Sequence, residues 1–227
     1  MSTQYKFGYI DEDSKQVSKY KRRFRDFNID VIGYDIKKGM TLDQLMSQVY
    51  ESDIDLLLID YKLDQSNKVT FNGEKVEEEL YDKRPLFPYI IFTNRKDDAE
   101  HHVEDWKIIF EKNEIRSKED DEYDEERTER FIKTLKSSVV RYKNRIDTRK
   151  EKISEILKLG EKEGLSVADQ DALISLQREI GDLDKTKIKE VPETLISSKK
   201  LKDLSKLRKE AQGYIESLIQ KNKENEG

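Results

Sequence analysis

Hydrophobic and polar positions follow two different periods along the first half of the chain. Short apolar, aromatic and β-branched runs predict five β-strands, at residues 5–10, 29–34, 56–59, 88–92 and 106–110. Between these runs, apolar residues recur every three to four positions, as in Val17, Tyr20, Phe24 and Phe27, which predicts helices. Regular alternation of strands and helices is typical of parallel βαβ units. The pattern therefore predicts an α/β fold with a doubly wound, five-stranded parallel sheet.

The second half of the chain has a helical pattern throughout. Its apolar residues step by three and four in a heptad-like seam, made of Leu135, Val139, Tyr142, Ile146, Ile153 and Ile156. The segment from Gly160 to Gly164 is expected to break the seam, and Ser166 begins a further helix with a pattern like a capping box. A last helical pattern covers residues 201–219. We predict three regions: an α/β domain at 1–116, an acidic linker or helix start at 117–126, and a helical, coiled-coil-like extension with a long helix at 127–227.

Composition narrows the class of protein. With 41% charged and 34% hydrophobic residues among 227, the chain is too polar for one compact globule, so part of it should be solvated helix. The net charge of -5 is shared between many acids and bases and does not indicate a nucleic-acid partner. Absence of cysteine excludes disulfides and thiolate metal sites. No apolar stretch approaches the ~18 residues of a membrane span. We therefore expect a cytoplasmic protein without membrane association.

Polar side chains follow the predicted strands at the point where each strand ends. Asp60 comes directly after the apolar run 56–59, which is typical of a strand buried on both faces. The other strand ends carry Asp11 with Glu12, Thr93 with Asn94, and Lys112. Ligands of parallel α/β sheets bind beyond the carboxyl ends of the strands. Taken alone, Asp60 would more simply be the start of a turn, but the ordered set favours a shared site.

This set of side chains has a definite chemistry. Several carboxylates that converge cannot all be ionised without a cation, and an oxygen donor set without His or Cys suits Mg²⁺. One carboxylate can act as a nucleophile toward a phosphoryl group and form an aspartyl-phosphate. A hydroxyl and an ammonium group can then stabilise the charge on the phosphoryl oxygens. The strand ends therefore indicate Mg²⁺-dependent phosphoryl chemistry.

Residues 5–115 resemble the receiver domain of two-component response regulators. In that family an acidic pair after the first strand holds Mg²⁺, and Asp11 with Glu12 matches this pair. The third strand ends in the phosphoacceptor, which Asp60 matches, and the residue two positions later, here Lys62, lends its backbone carbonyl to the metal. The resemblance implies a flavodoxin-like receiver fold in which Mg²⁺ contacts all four of these residues.

The later strand ends extend the resemblance. Thr93 matches the Thr or Ser at the end of the family's fourth strand, with Asn94 after it, and Lys112 matches the lysine at the end of the fifth. The resemblance implies that these three residues bind the phosphoryl group on Asp60. Gly73 stands where the family often carries a glycine that opens the third helix.

The resemblance implies a phosphoacceptor in phosphorelay signal transduction rather than a metabolic enzyme. Phosphorylation would control protein–protein contacts of the helical output region. The implied partners are a sensor histidine kinase or phosphotransfer protein and a downstream protein effector. The heptad-like seam, separately, could pair with a second copy of the chain or with the later helices.

Several residues depart from the family pattern. The loop between Asp60 and Gly73 is longer than usual, Asn113 replaces a proline, and an acidic run at 118–126 stands where a fifth helix would follow at once. The alternative is therefore a degenerate receiver that acts as an unphosphorylated scaffold or oligomerisation module. A phosphatase of the haloacid-dehalogenase type is disfavoured, because Lys62 occupies the place of its second aspartate.

Two further features are interpreted as plain surface. A basic stretch at 185–209 has acids interleaved and no helix-turn-helix pattern, so a nucleic-acid partner is not expected. His101 and His102 are adjacent, and neighbouring residues on a helix do not share a face, so they are expected to be surface histidines rather than metal ligands.

Overall fold

The protein forms two compact units. The computed structural model describes residues 4–103 and 105–183. Within the described residues, the first unit comprises 4–148 with 181–183, and the second comprises 149–180. The helix predicted at 201–219 and the basic stretch at 185–209 lie outside the described residues.

A five-stranded parallel sheet forms the centre of the first unit. Its strands are β1 (Tyr5–Ile10), β2 (Ile29–Gly33), β3 (Leu56–Ile59), β4 (Tyr89–Thr93) and β5 (Ile109–Glu111). They lie in the order β2-β1-β3-β4-β5, and each pairs with its neighbour in parallel. This is the flavodoxin-like order of a doubly wound sheet. The predicted α/β fold class is confirmed.

Six α-helices accompany the strands in the described ranges. They are α1 (Ser14–Arg25), α2 (Leu42–Glu51), α3 (Gly73–Lys83), α4 (Lys96–Glu100), α5 (Glu125–Glu163) and α6 (Val167–Leu183). The side chain of Asp13 caps α1 by accepting a hydrogen bond from the Lys15 amide. Thr41 caps α2 in a full capping box with Gln44. The start predicted for β5 is instead a 3₁₀ turn, Trp106–Ile108.

The sheet of the first unit is covered on both faces. All four residues of β3 are fully buried, and their side chains alternate between two apolar cores. Leu57 and Ile59 pack in the core that includes residues of α2 and α3. Leu56 and Leu58 pack in the core that includes residues of α1 and α5. The continuous apolar run that predicted a central strand therefore has its physical cause in burial from both sides.

The first part of α5 belongs to the core of the first unit. Phe131, Ile132, Leu135 and Val139 are buried with β-strand residues, and the ring of Phe131 stacks on that of Phe92 at 5.9 Å. Two residues of the predicted heptad-like seam, Leu135 and Val139, therefore face the protein's own sheet. The domain boundary predicted at residue 116 falls inside this unit, which continues to Thr148.

The acidic run that precedes α5 is fixed to the first unit by ion pairs. The guanidinium of Arg23 lies 2.8 Å from a carboxylate oxygen of Asp120 and donates a second hydrogen bond to the Ile115 carbonyl. Arg116 also pairs with Glu122. The segment therefore connects β5 to α5 with attachments of its own, and α5 begins only after it, at Glu125.

The described part of the second unit consists of helical segments joined at a glycine. The α5 helix continues through Gly160 and ends at Glu163, within the predicted break at Gly160 to Gly164, and Gly164 takes a left-handed conformation with φ 78° just after its end. Ser166 and Asp169 hydrogen-bond to each other at the start of α6, as the capping pattern predicted. Arg149 and Glu179 form an ion pair of 2.8 Å. Among the helices at 4–183, none is long and apolar enough to cross a membrane.

Candidate functional site

Four polar side chains meet at the carboxyl edge of the sheet. Asp11, Asp60, Thr93 and Lys112 are only 4%, 8%, 1% and 3% exposed. The pairing of Ile10 with Ile59 brings the ends of β1 and β3 level, and the Asp60 amide donates to the Ile10 carbonyl at 2.9 Å. The edge that the sequence indicated is therefore a buried polar cluster.

Lys112 bridges the two carboxylates of the cluster. Its Nζ lies 2.7 Å from Oδ2 of Asp11 and 3.1 Å from Oδ1 of Asp60. Two buried carboxyl groups thus share one ammonium group. Buried charges must be paired, because removing an isolated ion from water is strongly unfavourable.

Burial makes Asp60 a weaker acid than an exposed aspartate. Desolvation is the largest effect on its pKa and raises it to about 6, against the opposing pull of Lys112. The charge of Asp11 raises this pKa further, whereas hydrogen bonds from Lys112 and Thr93 lower it. Asp60 is therefore mainly ionised at neutral pH. Its buried carboxylate would be stabilised by a further positive charge nearby.

Asp11 is held by three donors. Its Oδ2 accepts from the Tyr9 hydroxyl at 2.6 Å and from Lys112, while its Oδ1 accepts from the Asp13 amide at 2.8 Å. Tyr9 was not among the predicted site residues. The signal was available, since Tyr9 precedes Asp11 by two positions and residues two apart on an extended chain point to the same side.

Glu12 is engaged with the loop between β3 and α3. Its Oε2 accepts from the Ser66 amide at 2.6 Å, and its carbonyl accepts from Nζ of Lys68 at 2.9 Å. The long loop that departs from the family pattern is thus tied to the acidic pair. In this conformation the Glu12 side chain anchors the loop, while Asp11 is the member of the pair that contacts Lys112.

The remaining predicted site residues lie at the margin of the cluster. Asn94 is exposed, and the Thr93 hydroxyl accepts from the Arg95 amide at 3.1 Å, which turns the chain away from the sheet. Lys62 directs its Nζ over the ring of Tyr61, 5.0 Å from its centroid. The structure therefore brings together Asp11, Asp60, Thr93 and Lys112, and leaves the side chains of Asn94 and Lys62 outside them.

The adjacent histidines are exposed, and each has its own neighbour. The ring of His102 stacks on the ring of Tyr61 with centroids 6.1 Å apart, and Nδ1 of His101 lies 2.6 Å from the Asp97 carbonyl. They do not form a common site. Across residues 4–103 and 105–183, no group of three or more His, Cys, Asp or Glu side chains is arranged to hold a metal ion.

Gly73 lies directly behind the backbone of Asp60. A Cβ at position 73 would be 2.5 Å from the Asp60 carbonyl oxygen and 3.0 Å from the Tyr61 Cα, so no larger residue fits without backbone movement. The Gly73 amide also donates to the Tyr61 carbonyl at 2.8 Å. Glycine is thus required here for close approach, and the start of α3 supports the end of β3.

The donors of the cluster fit a small, hard cation. Mg²⁺ commonly retains several waters and binds one or two protein carboxylates, a requirement that Asp11 and Asp60 meet. The Lys112 ammonium already occupies a position of positive charge between them. A metal would compete with Lys112 for these oxygens or would bind beside it.

Aromatic rings connect the cluster with α5. The ring of Tyr9 makes edge contacts with those of Tyr20 and Phe92, each at 6.0 Å, and Phe92 stacks on Phe131 of α5. The Tyr20 hydroxyl donates to the Lys112 carbonyl at 2.9 Å. The residues around the acidic cluster therefore pack, through one layer of rings, against the long helix.

Comparison with known proteins gives structural similarity only. No protein-family model matches the sequence, and no curated protein matches it. The structure is similar to a CheY-like response regulator receiver domain protein from Methanospirillum hungatei JF-1, with 13% identity over 60% of this chain and 97% of that one, and a TM-score of 0.39. It is similar to a response regulator protein of Thermotoga maritima in complex with Mg(2+)-BeF, with 13% identity over 58% and 99% of the two chains, and a TM-score of 0.39. An uncharacterized protein from Neptuniibacter caesariensis gives 11% identity over 60% and 90%, with a TM-score of 0.44.

Proposed function

We propose that the first unit is a receiver that accepts a phosphoryl group on Asp60 and relays a signal through its helices. The observation that carries the proposal is the contact between Asp60 and Lys112, 3.1 Å apart in a buried cluster at the end of β3. A structural ion pair alone would not require a second carboxylate, Asp11, on the same ammonium group. A phosphoryl acceptor with a cation site uses all three groups.

Asp60 is the proposed nucleophile. One of its carboxylate oxygens attacks the phosphorus of a donor, either a phosphohistidine of a kinase or phosphotransfer protein or a small acyl phosphate. The bond from phosphorus to the donor nitrogen or oxygen breaks, its electron pair stays with the donor, and an aspartyl-phosphate forms. A pKa of about 6 leaves this carboxyl group ionised at neutral pH, as attack requires.

Lys112 and Thr93 would stabilise the transferred group. The transition state of phosphoryl transfer spreads negative charge over the equatorial oxygens, and preformed donors stabilise that charge without reorganisation. Lys112 is held in place because Tyr20 binds its carbonyl and two carboxylates bind its ammonium group. Thr93 is buried in the same cluster, and its hydroxyl lowers the pKa of Asp60.

Asp11 and Asp60 are the proposed Mg²⁺ ligands, together with the backbone carbonyl of Lys62, two residues after Asp60. A bound Mg²⁺ would supply positive charge to the phosphoryl oxygens. Glu12 would act through the loop that it anchors at Ser66, by keeping residues 64–72 next to the cluster. A change in charge at Asp60 would reach α5 through the packed rings and alter contacts with a protein effector.

Intact-mass measurement after incubation with acetyl phosphate and Mg²⁺ tests the function. We expect one added phosphoryl group on the wild-type chain, none on Asp60→Asn, and none when Mg²⁺ is chelated. Asp97→Asn, an exposed carboxylate on α4, is the matched control and should be labelled like the wild type. Labelling of Asp60→Asn would refute the assignment of the acceptor.

An unphosphorylated scaffold is the second candidate. The observation that favours it is that Lys112 already compensates the carboxylates and that Glu12 is committed to the loop. A scaffold predicts no adduct from acetyl phosphate or from a phosphorylated histidine phosphotransfer protein, and no effect of Mg²⁺ on thermal stability. In both candidates the output is protein–protein contact rather than metabolic turnover.

A further inference from the structure

We propose that Tyr9 is a positioning residue that weakens the affinity of the Asp11–Asp60 pair for a divalent cation. Its hydroxyl donates to Oδ2 of Asp11 at 2.6 Å, and the same oxygen accepts from Lys112 at 2.7 Å. The inference rests on the proposed function, since the cation is the one that would assist phosphorylation of Asp60.

The ring of Tyr9 is fixed by packing, and this also fixes the position of its hydroxyl. Tyr9 is fully buried, and its ring is held by edge contacts to Tyr20 and Phe92 at 6.0 Å each. The bond to Asp11 is short, as hydrogen bonds to ionised carboxylates are. In a buried site such a hydroxyl has no water to bind instead, so the contact persists.

The hydroxyl competes with a cation for the charge of Asp11. Oδ2 of Asp11 already has two donors, and the Asp13 amide occupies Oδ1 at 2.8 Å. Each donor withdraws electron density from the carboxylate and makes it a poorer ligand. Removal of one hydrogen bond to a charged group changes an equilibrium by about tenfold. Loss of the Tyr9 hydroxyl should therefore strengthen cation binding by that factor.

A purely structural role for Tyr9 predicts a different result. If the residue only filled the core, removing its hydroxyl would leave cation affinity unchanged, or weaken it through loosening of Asp11. A gain of affinity is the readout that core filling does not produce. Tyr34 offers a matched control, because it is also a buried tyrosine, but its hydroxyl pairs with the Ser52 hydroxyl at 2.6 Å rather than with a residue of the cluster.

The experiment is calorimetric measurement of MgCl₂ binding to the full chain and its variants. We expect Tyr9→Phe to bind Mg²⁺ about tenfold more tightly than the wild type, and Tyr34→Phe to match the wild type. Tyr9→Met, which also lacks the hydroxyl, should bind Mg²⁺ more tightly as well and serves as a second variant. Circular dichroism establishes that each variant is folded.

Each other result overturns the inference. Equal or weaker binding by the folded Tyr9 variants refutes it. An equal gain in Tyr34→Phe also refutes it, because the gain would then not be specific to the Tyr9 hydroxyl, and so does absence of binding in all variants. The phosphoryl adduct on Asp60 is measured separately by intact mass. A wild type that gains no adduct while Tyr9→Phe binds Mg²⁺ more tightly would count against the receiver function and for the role of Tyr9.

Discussion

The Nζ of Lys112 lies 3.1 Å from Oδ1 of Asp60, although 52 positions separate the two residues in the sequence. Both follow strands of the same parallel sheet, and both are buried. The ion pair therefore links β3 to β5 across β4 and makes the acidic cluster part of the folded core as well as the proposed reaction site.

Removal of the Lys112 charge should be strongly destabilising. Lys112→Met would leave Asp11 and Asp60 buried without their ammonium partner, and loss of one partner of a buried pair typically costs about 3–5 kcal/mol. Denaturant unfolding at pH 7 would measure the loss. Lys75→Met is the control, because the exposed Lys75–Glu78 pair should contribute little to stability. A loss as small as that of Lys75→Met would mean that the pair is not formed.

Stability should depend on pH through Asp60. Its pKa is about 6 in the folded state, against 3.8 for an unperturbed aspartate, so the folded state binds more protons between these values. The free energy of unfolding contributed by Asp60 therefore falls as pH rises from about 4 to about 6, by at most about 3 kcal/mol, and is constant above that range.

Asp60→Asn isolates this contribution. The stability of the variant relative to the wild type should rise between about pH 4 and about pH 6 and then level off. Urea unfolding at several pH values measures the difference. A difference that is flat, or that falls with pH, would show that the pKa of Asp60 is not raised.

Gly73→Ala should disturb the site, because the added methyl group would clash with the backbone of Asp60. The added Cβ would meet the Asp60 carbonyl, which cannot move without displacing the end of β3, and overpacking of this kind costs about 1–3 kcal/mol. We expect loss of the Mg²⁺-dependent adduct as well as stability. Gly8→Ala is the control: its Cβ would meet side chains of Tyr34, Ile54 and Leu57. It should lower stability without preventing phosphorylation, and equal labelling of both variants would contradict the role of Gly73.

The first unit should require the first part of α5. Phe131 stacks on Phe92 and contacts Phe110, and Phe131→Ala should cost about 3–5 kcal/mol because it opens a cavity in the core. Val140→Ala, at a position 43% exposed on the same helix, should have little effect. A fragment of residues 1–116 should fail to show a cooperative thermal transition, which would reappear in a fragment of residues 1–148.

The sequence was sufficient to predict the sheet and the position of the candidate site. Apolar runs such as 56–59 specify strands buried on both faces, and parallel βαβ connection brings all carboxyl ends to one edge. Asp11, Asp60, Thr93 and Lys112 could therefore be assigned to one edge without knowledge of any side-chain contact. The chemistry of their side chains then indicated cation binding and phosphoryl transfer as the reactions to expect at this edge.

Only the tertiary structure decided which of these groups touch and what the long helix covers. The Tyr9 hydroxyl and the Lys112 ammonium both bind Oδ2 of Asp11, whereas the loop amide of Ser66 binds Glu12. The sequence could not predict these pairings, because each depends on the position of a side chain in the folded structure. An apolar stripe such as Leu135 and Val139 indicates that one face of a helix is buried. It does not indicate whether another helix or a sheet covers that face. Here the first part of α5 covers the chain's own sheet, in a core that includes residues of β1, β2, β3 and β4, because burial of apolar surface is favourable whichever element supplies the partner.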